Sequence, residues 1–366
     1  MRSDPMDIIH EDCERVAAEV FTLKALQGEH LLITGGTGFM GVWLTEQLAF
    51  LNDRHHLNVH IILLSSQAYT FSAKAPHLAL RPDVTLIQRD ICNVVDLPDE
   101  VGWIIHAAGT PDSRQHASDP LRVMQVITHG TASVLEATTR LPDLKKFLNI
   151  SSGLVYGPQP WELAGVSENF VGGGDCDSVT AAYPEAKRFA ETLCAAYRNQ
   201  HRLPIVNARP FAFIGPYQLL DRPWAINNFI RDGLLGGPIR VQGDGETVRS
   251  YMYPSDMAWW LLRILVQGTV GLSYNVGSPQ AVTLAQLAEK IASHFPVHPK
   301  ILIGVSPDRN LRRSKLVPDV SLAQNTLGLR LTVDLEMAIQ RTILWNQAQV
   351  RPLAPKPHDS WKHPDE

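Results

Sequence analysis

Tyr183 and Lys187 are well suited to move a proton at neutral pH, and they stand four residues apart in the segment YPEAK. On a helix this spacing places both side chains on one face. A phenol with a pKa of about 10 exchanges protons poorly at neutral pH, and a neighbouring ammonium lowers that pKa by favouring the phenolate. Ser152 ends an apolar segment typical of a strand, so we expect its hydroxyl in the same crevice at the carboxyl edge of a sheet. The three residues together predict an acid–base site.

A glycine-rich segment, TGGTGFMG (34–41), follows an apolar strand and begins a helix, with Gly35, Gly38 and Gly41 spaced as GxxGxxG. The first glycine allows a tight turn, the second lets the backbone approach a pyrophosphate, and the third lets the helix pack closely on the strand. The helix N-terminus then offers amides and a partial positive charge to the phosphates. The motif in this setting predicts a bound dinucleotide.

Two strand ends bear on the choice of dinucleotide. The second strand ends LSSQ (64–67), without the carboxylate that would bind the ribose 2′-hydroxyl of NAD. This favours NADP over NAD, although no arginine follows to bind a 2′-phosphate, so both cofactors stay open. Asp90 and Ile91 end the third strand and are expected to meet the adenine amino group; the alternative is that Asp90 caps a helix.

The elements that must position these residues alternate along the first 210 residues. The predicted strands are 30–34, 59–66, 84–90, 102–109, 146–152 and 203–210, and the predicted helices between them are 39–51, 121–139 and 181–200. Continuous apolar strands between helices indicate a parallel sheet covered on both faces. We therefore predict an α/β fold with a Rossmann-type doubly wound parallel sheet.

The remaining chain gives the predicted domain limits. Residues 1–28 read as an acidic amphipathic helical extension that precedes the Rossmann domain of residues 29–206. Residues 207–350 are expected to form a smaller mixed α/β substrate lobe, with some segments returning to the Rossmann domain. Residues 351–366 contain four prolines and alternating charge, and we expect a disordered tail there.

Charge and composition exclude several partners. The formal net charge is −4 and no run of Lys or Arg is longer than a pair, so we expect no nucleic acid. The apolar stretch 257–266 falls short of the about 20 residues that cross a bilayer, so we expect no membrane. Four scattered cysteines and an acidic N-terminus favour a reducing cytoplasm. No metal site is expected, because His10 and Cys13 lack a second pair at ligand spacing.

Six segments occur in a characteristic order: TGGTGFMG, HAAG (106–109), SSGLVYG (151–157), YPEAK (183–187), RPFAFIGP (209–216) and GDGETVRSYMYPSDM (243–257). Together they resemble the extended short-chain dehydrogenase/reductases that modify nucleotide sugars, the NAD-dependent epimerase/dehydratase family. The resemblance covers about residues 29–347. It implies a nucleotide-diphosphate sugar as substrate and a homodimer formed through the helices 121–139 and 181–200.

The resemblance also implies roles for single residues. Ser152, Tyr183 and Lys187 would be catalytic, with Lys187 also binding the nicotinamide ribose, while Arg249 and either Arg312 or Arg313 would bind the diphosphate unless they form surface ion pairs. The predicted cofactor contacts are Gly35, Thr37, Gly38, Phe39, Met40, Gly41, Ser65, Asp90, Ile91, Ala107, Ala108, Tyr183, Lys187 and Pro210. The predicted substrate contacts are Thr110, Ser152, Asn228, Arg249 and Arg312.

Departures from the family pattern narrow the expected chemistry. The 4,6-dehydratases of the family carry Asp-Glu directly after the catalytic hydroxyl residue and the glucuronate decarboxylases keep the glutamate, whereas this chain has Gly153-Leu154. Elimination and decarboxylation then lack the family's second proton carrier. Ala212 and Ile127 stand where the family has asparagines. The hydrogen bonds that those asparagines make in the family must here be lost or made by other residues.

Three functional hypotheses remain. The first is NAD(P)H-dependent reduction of a nucleoside-diphosphate 4-keto-(6-deoxy)hexose, in which Tyr183 supplies the proton. The second is a 4-epimerase with retained NAD, which uses the same residues. The third is a catalytically silent dinucleotide-binding protein. An insertion around Gly172-Gly173-Gly174 is expected to be either a lid over the sugar or a surface loop.

Overall fold

The structure is a computed structural model that describes residues 5–109, 112–304 and 314–349. Its strands are β1 His30–Thr34, β2 His60–Ser65, β3 Val84–Gln88, β4 Val101–His106, β5 Lys146–Ile150, β6 Ile205–Pro210, β7 Ala212–Phe213, β8 Ile239–Val241, β9 Val248–Arg249, β10 Tyr251–Met252, β11 Ser273–Val276, β12 Val282–Thr283, β13 Ile301–Ile303 and β14 Lys315–Leu316. Seven of them form a central sheet in the order β11-β6-β5-β4-β1-β2-β3. Every pairing in this sheet is parallel. The predicted doubly wound Rossmann-type fold is confirmed.

Helices cover both faces of this sheet. The α-helices of the described residues are α1 Pro5–Val16, α2 Phe39–His55, α3 Phe71–Lys74, α4 Pro76–Ala79, α5 Ser113–Ser118, α6 Pro120–Thr138, α7 Ala182–His201, α8 Ala225–Leu234, α9 Pro254–Gln267, α10 Leu284–Ser293, α11 Ser321–Leu327 and α12 Leu335–Gln349. Within the described ranges, no helix combines the length and the apolar character needed to span a bilayer.

Side chains alternate between the two faces along each strand, as the two-residue period of a strand requires. In β1, Leu31 and Ile33 belong to the core beneath α2 and α9, whereas Leu32 belongs to the core beneath α6 and α7. Both faces of β1 are therefore buried, which explains its continuous apolar sequence. The carboxyl ends of β1 and β4 lie side by side where the strand order reverses, the usual ligand-binding edge of such sheets.

Two elements differ from the sequence expectation. The N-terminal extension is not one helix: α1 ends at Val16, and a 3₁₀ helix follows over Ala17–Leu26 with Glu19 outside helical geometry. The seventh strand, β11, was not predicted from the sequence. It pairs with β6 after a long excursion of the chain.

The region after β6 also forms small sheets, in the orders β12-β9-β14, β13-β8 and β10-β7. The helices α8 and α10 belong to the same region of the chain. The division into a Rossmann domain of residues 29–206 and a substrate lobe of residues 207–350 stays a prediction. The predicted tail, residues 351–366, lies outside the described residues, so its disorder stays a prediction.

A buried carboxylate, Asp12, fastens α1 to the rest of the molecule. It accepts a hydrogen bond of 2.6 Å from the Tyr253 hydroxyl and lies 2.7 Å from Nε of Arg341. Burial raises the pKa of Asp12 to about 7, against the opposing effects of Tyr253 and Arg341. The N-terminal helix is therefore joined by polar contacts to the start of α9 and to α12.

Candidate active site

Ser152, Tyr183 and Lys187 meet in one cavity, as their spacing predicts. Ser152 lies just beyond the end of β5, after Ser151, and the other two project from the first turns of α7. Tyr183 shares a hydrogen bond with Ser152. Nζ of Lys187 donates a hydrogen bond of 2.7 Å to the Ile150 carbonyl. A phenol and an alcohol thus lie ready to bind one oxygen atom, with an amine in the same wall.

Burial is the largest cause of the pKa shifts of Tyr183 and Lys187. It raises the pKa of Tyr183 to about 12, partly offset by the hydrogen bond from Ser152. It lowers the pKa of Lys187 to about 8, partly offset by the negative charge of Glu191. We expected Lys187 to set the pKa of Tyr183. Burial and Ser152 are the causes found in this structure, and the Lys187 ammonium is directed at the Ile150 carbonyl.

The glycine loop is packed so tightly that its glycines are required. Gly35 has φ +68°, and a Cβ there would lie 2.8 Å from the Ala107 carbonyl oxygen. A Cβ on Gly41 would lie 2.2 Å from the Gly36 carbonyl oxygen. The turn therefore lies against the end of β4 and the first turn of α2 closes on the turn, as a dinucleotide loop requires.

Two cavities meet at this loop and share Gly35, Gly38 and Gly109 in their walls. The cavity that holds Ser152, Tyr183 and Lys187, named the catalytic cavity for the role predicted for these residues, has a volume of about 490 Å³. The second, named the adenosine cavity for its expected occupant, lies at the ends of β2 and β3 and has a volume of about 580 Å³. Their arrangement on either side of a glycine loop and a helix N-terminus fits a dinucleotide whose pyrophosphate lies at the loop. The nicotinamide end would then reach Tyr183, and the adenosine end would lie at β2 and β3.

At the end of β2 the adenosine cavity is lined by hydroxyl groups, where a carboxylate is usual in dinucleotide-binding sheets. Oγ of Ser65 lies 2.8 Å from Oγ1 of Thr37. The Lys74 ammonium donates a hydrogen bond of 3.0 Å to the Thr37 carbonyl. Asp90 caps the 3₁₀ helix Ile91–Asn93 by accepting from the Cys92 amide at 2.9 Å, and it also lines this cavity. Both interpretations of Asp90 are therefore compatible with its position.

The other predicted contacts divide among several locations. Phe39, Met40, Ala107 and Pro210 line the catalytic cavity, and Ile91 and Ala108 line the adenosine cavity. Gly41 lines neither cavity and acts through packing. Thr110, Arg312 and Arg313 lie outside the described residues.

Arg249 and Asn228 were both predicted to contact the substrate, and their positions differ. Arg249 lines the catalytic cavity and donates hydrogen bonds to the Ser314 hydroxyl at 2.8 Å and to the Val248 carbonyl at 2.8 Å. Burial lowers the pKa of Arg249. Asn228 is half-buried on α8 and is not among the residues that line the cavity. A direct substrate contact of Asn228 therefore stays a prediction that this geometry does not favour.

The glycine insertion lies away from the catalytic cavity. The Gly172 carbonyl accepts a hydrogen bond of 2.7 Å from Arg188, and Phe170 and Val171 line a different cavity, whose walls include residues of α6 and α7. Of the two alternatives for this insertion, the structure favours a surface loop over a lid.

Sequence reasoning missed His116 and the apolar walls of the cavity. The His116 imidazole is stacked on the Tyr183 ring, and aromatic side chains form much of the remaining wall. These aromatic residues are Phe211, Phe213, Trp224 and Tyr251. One signal pointed to His116: it lies shortly after β4, at the carboxyl edge of the sheet, where ligands bind.

Comparison with known proteins agrees with this geometry. The sequence profile of the NAD-dependent epimerase/dehydratase family matches residues 31–277. UDP-glucuronic acid decarboxylase 1 of Xenopus tropicalis is 30% identical over 315 residues, which cover 86% of this chain and 71% of that protein. A Rossmann-type sheet with this glycine loop and a Ser-Tyr-Lys cavity is the architecture of an extended short-chain dehydrogenase/reductase. This chain belongs to the NAD-dependent epimerase/dehydratase family.

Solved structures share the fold. UDP-glucuronic acid 4-epimerase from Bacillus cereus, in complex with UDP-glucuronic acid and NAD, superposes with a TM-score of 0.72 at 24% identity and covers 87% of this chain and 99% of its own. The enzyme WbmF of Bordetella bronchiseptica, in complex with NADH, gives a TM-score of 0.72 at 24% identity and covers 89% of this chain and 94% of its own. At such identities the likeness shows the fold.

Proposed function

We propose that this chain is a nucleotide-sugar oxidoreductase that acts at one ring carbon, and that its reaction is the reduction of a nucleoside-diphosphate 4-keto-hexose. The composition of the catalytic cavity carries the proposal. Ser152, Tyr183 and Lys187 line the cavity, and none of its described lining residues is an aspartate or a glutamate. Reduction of a ketone needs one proton donor and a hydrogen bond to the oxygen, and it needs no carboxylate.

A nicotinamide dinucleotide held at the glycine loop would, when bound, provide the hydride that the carbonyl carbon needs. Tyr183 donates its proton to the carbonyl oxygen, and Ser152 hydrogen-bonds to the same oxygen as negative charge develops there. The Lys187 amine is placed to hold the cofactor ribose beside the phenol. Arg249 is placed to pair with a phosphate of the sugar nucleotide, because its guanidinium is always charged and meets no carboxylate among the described lining residues.

Because of Leu154, we do not propose the decarboxylase activity of the relatives for this chain. The Leu154 side chain lines the catalytic cavity at the position where those enzymes are expected to have a glutamate. An apolar side chain neither donates nor accepts the proton that a carboxylate would move. Oxidation or reduction at the ring carbon is unaffected by this replacement.

A second candidate is 4-epimerisation with retained NAD. It uses Ser152, Tyr183 and Lys187 twice: the phenol accepts the proton when the C4 hydroxyl is oxidised and returns it when the ketone is reduced. The NAD dependence of the family favours this candidate, and the B. cereus enzyme that shares the fold is a 4-epimerase of a UDP-sugar.

One experiment separates the two candidates. The protein is given NADH or NADPH with UDP- and dTDP-linked 4-keto-6-deoxyhexoses, and the nicotinamide absorbance is followed. Stoichiometric oxidation of the cofactor supports the reductase. Purification with bound NAD and interconversion of UDP-hexose C4 epimers, without consumption of reductant, supports the epimerase. If neither result is observed with any substrate of the panel, the remaining hypothesis is a catalytically silent dinucleotide-binding protein.

Ser65→Asp tests the choice of cofactor. The wild-type hydroxyl pair of Ser65 and Thr37 accepts a 2′-phosphate or a 2′-hydroxyl, whereas a carboxylate at residue 65 repels the phosphate and binds the hydroxyl. We expect the ratio of NADPH to NADH affinity to fall at least about tenfold, which corresponds to about 1.4 kcal/mol. Isothermal titration calorimetry with NADPH and with NADH measures the two affinities. Ser65→Ala, which adds no charge, is the control, and an unchanged ratio in Ser65→Asp rejects this placement of the ribose.

A second copy of this chain is the proposed partner, packed on the outer face of α6 and α7. Phe189 is 50% exposed on that face, whereas Leu193 and Tyr197, further along α7, pack against the core. We expect Phe189→Glu to convert a dimer into a monomer in light scattering. Phe21→Glu, at a residue 73% exposed in the N-terminal 3₁₀ helix, is expected to stay dimeric. A monomeric wild-type protein contradicts the proposal.

The proposed compartment is the cytoplasm. The four cysteines are free thiols, and Cys13 and Cys194 are buried. This use of cysteine accords with a reducing environment.

A further inference from the structure

His116 occupies a position against the catalytic phenol that the proposed reduction does not use. Its imidazole ring is stacked on the Tyr183 ring, with 4.3 Å between the ring centroids and 12° between the planes. Both residues line the catalytic cavity. We propose that His116 is a second proton carrier of this cavity and that it exchanges the hydrogen on the sugar carbon next to the ketone. The inference rests on the proposed function, because it needs a ketone at a ring carbon in this cavity.

The helix that carries His116 is anchored. Asp112 caps α5 by accepting from the Arg114 amide at 3.0 Å. Its carboxylate also pairs with the guanidinium of Arg114 at 2.9 Å and with that of Arg222 at 2.5 Å. Arg114 donates a further hydrogen bond of 3.2 Å to the Asp221 carbonyl. These contacts tie α5 to the segment before α8, so the imidazole is presented by a fixed helix.

Few described residues of the cavity wall can move a proton near neutral pH. Burial raises the pKa of Tyr183 and of Tyr251 to about 12 and lowers the pKa of Lys187 to about 8. Arg249 keeps its proton. An imidazole can both accept and donate a proton. His116 is the one histidine among the described lining residues.

A ketone makes the C–H bonds on the adjacent carbons acidic, since their loss of a proton gives an enolate. In the proposed step a nitrogen of His116 takes that proton, and the electron pair of the C–H bond becomes the C=C bond of the enolate. The negative charge moves to the oxygen held by Tyr183 and Ser152. Return of a proton from the imidazolium restores the ketone. After exchange of the imidazolium with solvent, the carbon receives a solvent hydrogen, and no oxidant or reductant is consumed.

The test supplies the ketone ready-made. UDP- and dTDP-4-keto-6-deoxyglucose are incubated in D₂O with protein saturated with NAD⁺, which does not reduce a ketone. Deuterium at the carbons next to the ketone is followed by NMR and mass spectrometry. We expect the wild type to accelerate incorporation at least about a hundredfold over buffer, the lower end of general acid–base catalysis.

Three variants assign the exchange. His116→Phe keeps an aromatic ring against Tyr183 and is expected to lose at least about tenfold of the acceleration, as is His116→Gln, which keeps hydrogen-bonding atoms but carries no titrating group. His298→Phe makes the same change at an exposed histidine outside the cavity and is expected to exchange at the wild-type rate. Circular dichroism of each variant reports whether it is folded.

Each outcome decides the inference. No acceleration by the wild type, or wild-type exchange in either folded His116 variant, overturns the role of His116. A parallel assay with NADH in H₂O distinguishes this failure from failure of the proposed function. Reduction without exchange rejects His116 and leaves the reductase standing, whereas exchange without reduction supports His116 and rejects the reductase.

Discussion

Tyr183→Phe is expected to lower the rate of 4-keto-sugar reduction at least about a hundredfold, because a positioned general acid contributes about 10²–10⁴ to such a rate. The variant keeps the ring that fills the wall of the cavity and loses only the hydroxyl bonded to Ser152. Cofactor affinity is therefore expected to stay nearly constant. Steady-state nicotinamide absorbance measures the rate, and fluorescence titration measures the cofactor dissociation constant.

Tyr197→Phe is the matched control for this prediction. Tyr197 lies on the same helix, at the far end from the cavity, and its hydroxyl donates to Glu136 at 3.0 Å. Loss of that hydrogen bond removes no group from the catalytic cavity, so turnover is expected to equal that of the wild type. Full turnover in Tyr183→Phe eliminates the phenol as proton donor.

Lys187→Met is expected to abolish measurable turnover and, at the same time, to stabilise the cofactor-free protein by about 2 kcal/mol at pH 7. Burial lowers the pKa of Lys187 from 10.5 to about 8, so the folded state disfavours the ammonium that the unfolded state carries freely. At about 1.4 kcal/mol per pKa unit the penalty is about 3 kcal/mol. The lost hydrogen bond to the Ile150 carbonyl offsets about 1 kcal/mol of the gain.

Because the pKa of Lys187 is lowered in the folded state, the stabilisation by Lys187→Met is expected to decrease as the pH rises. The penalty is fully present below about pH 8 and disappears as the pH rises toward 10.5, where the unfolded chain also loses the proton. Urea unfolding at pH 7 and at pH 10.5 should therefore show a stabilisation that is present at the lower pH and gone at the higher. Lys300→Met, at an exposed lysine, is the control. Equal stabilisation at both pH values refutes the burial argument.

The alternation of apolar strands with amphipathic helices was enough to predict most of the central sheet. The exception, β11, has only the four residues SYNV (273–276), and it is a strand because β6 offers an unpaired edge. Pairing between segments so distant in sequence depends on the tertiary structure. The break in the N-terminal helix at Glu19 was hidden for a similar reason, because helical spacing of apolar residues continues across it.

The site was predicted as far as spacing and strand ends could predict it. Ser152, Tyr183 and Lys187 meet because parallel strands and the helix after them share one edge of the sheet. The stacking of His116 on Tyr183 joins two helices far apart in the sequence, and no local pattern encodes it. The Lys187 ammonium points to the Ile150 carbonyl. The four-residue spacing of Tyr183 and Lys187 gives no information about this contact with the backbone.

The carboxylate that holds α1 has a practical consequence for recombinant work. The segment shared with the family, residues 31–277, omits both α1 and α12. Trimming a gene to that segment would remove both Asp12 and Arg341, leave Tyr253 without its carboxylate partner, and expose the apolar surface on which Ile9 packs. Such a truncation would give an aggregation-prone fragment, so expression plasmids for this protein need the codons for α1 and for α12.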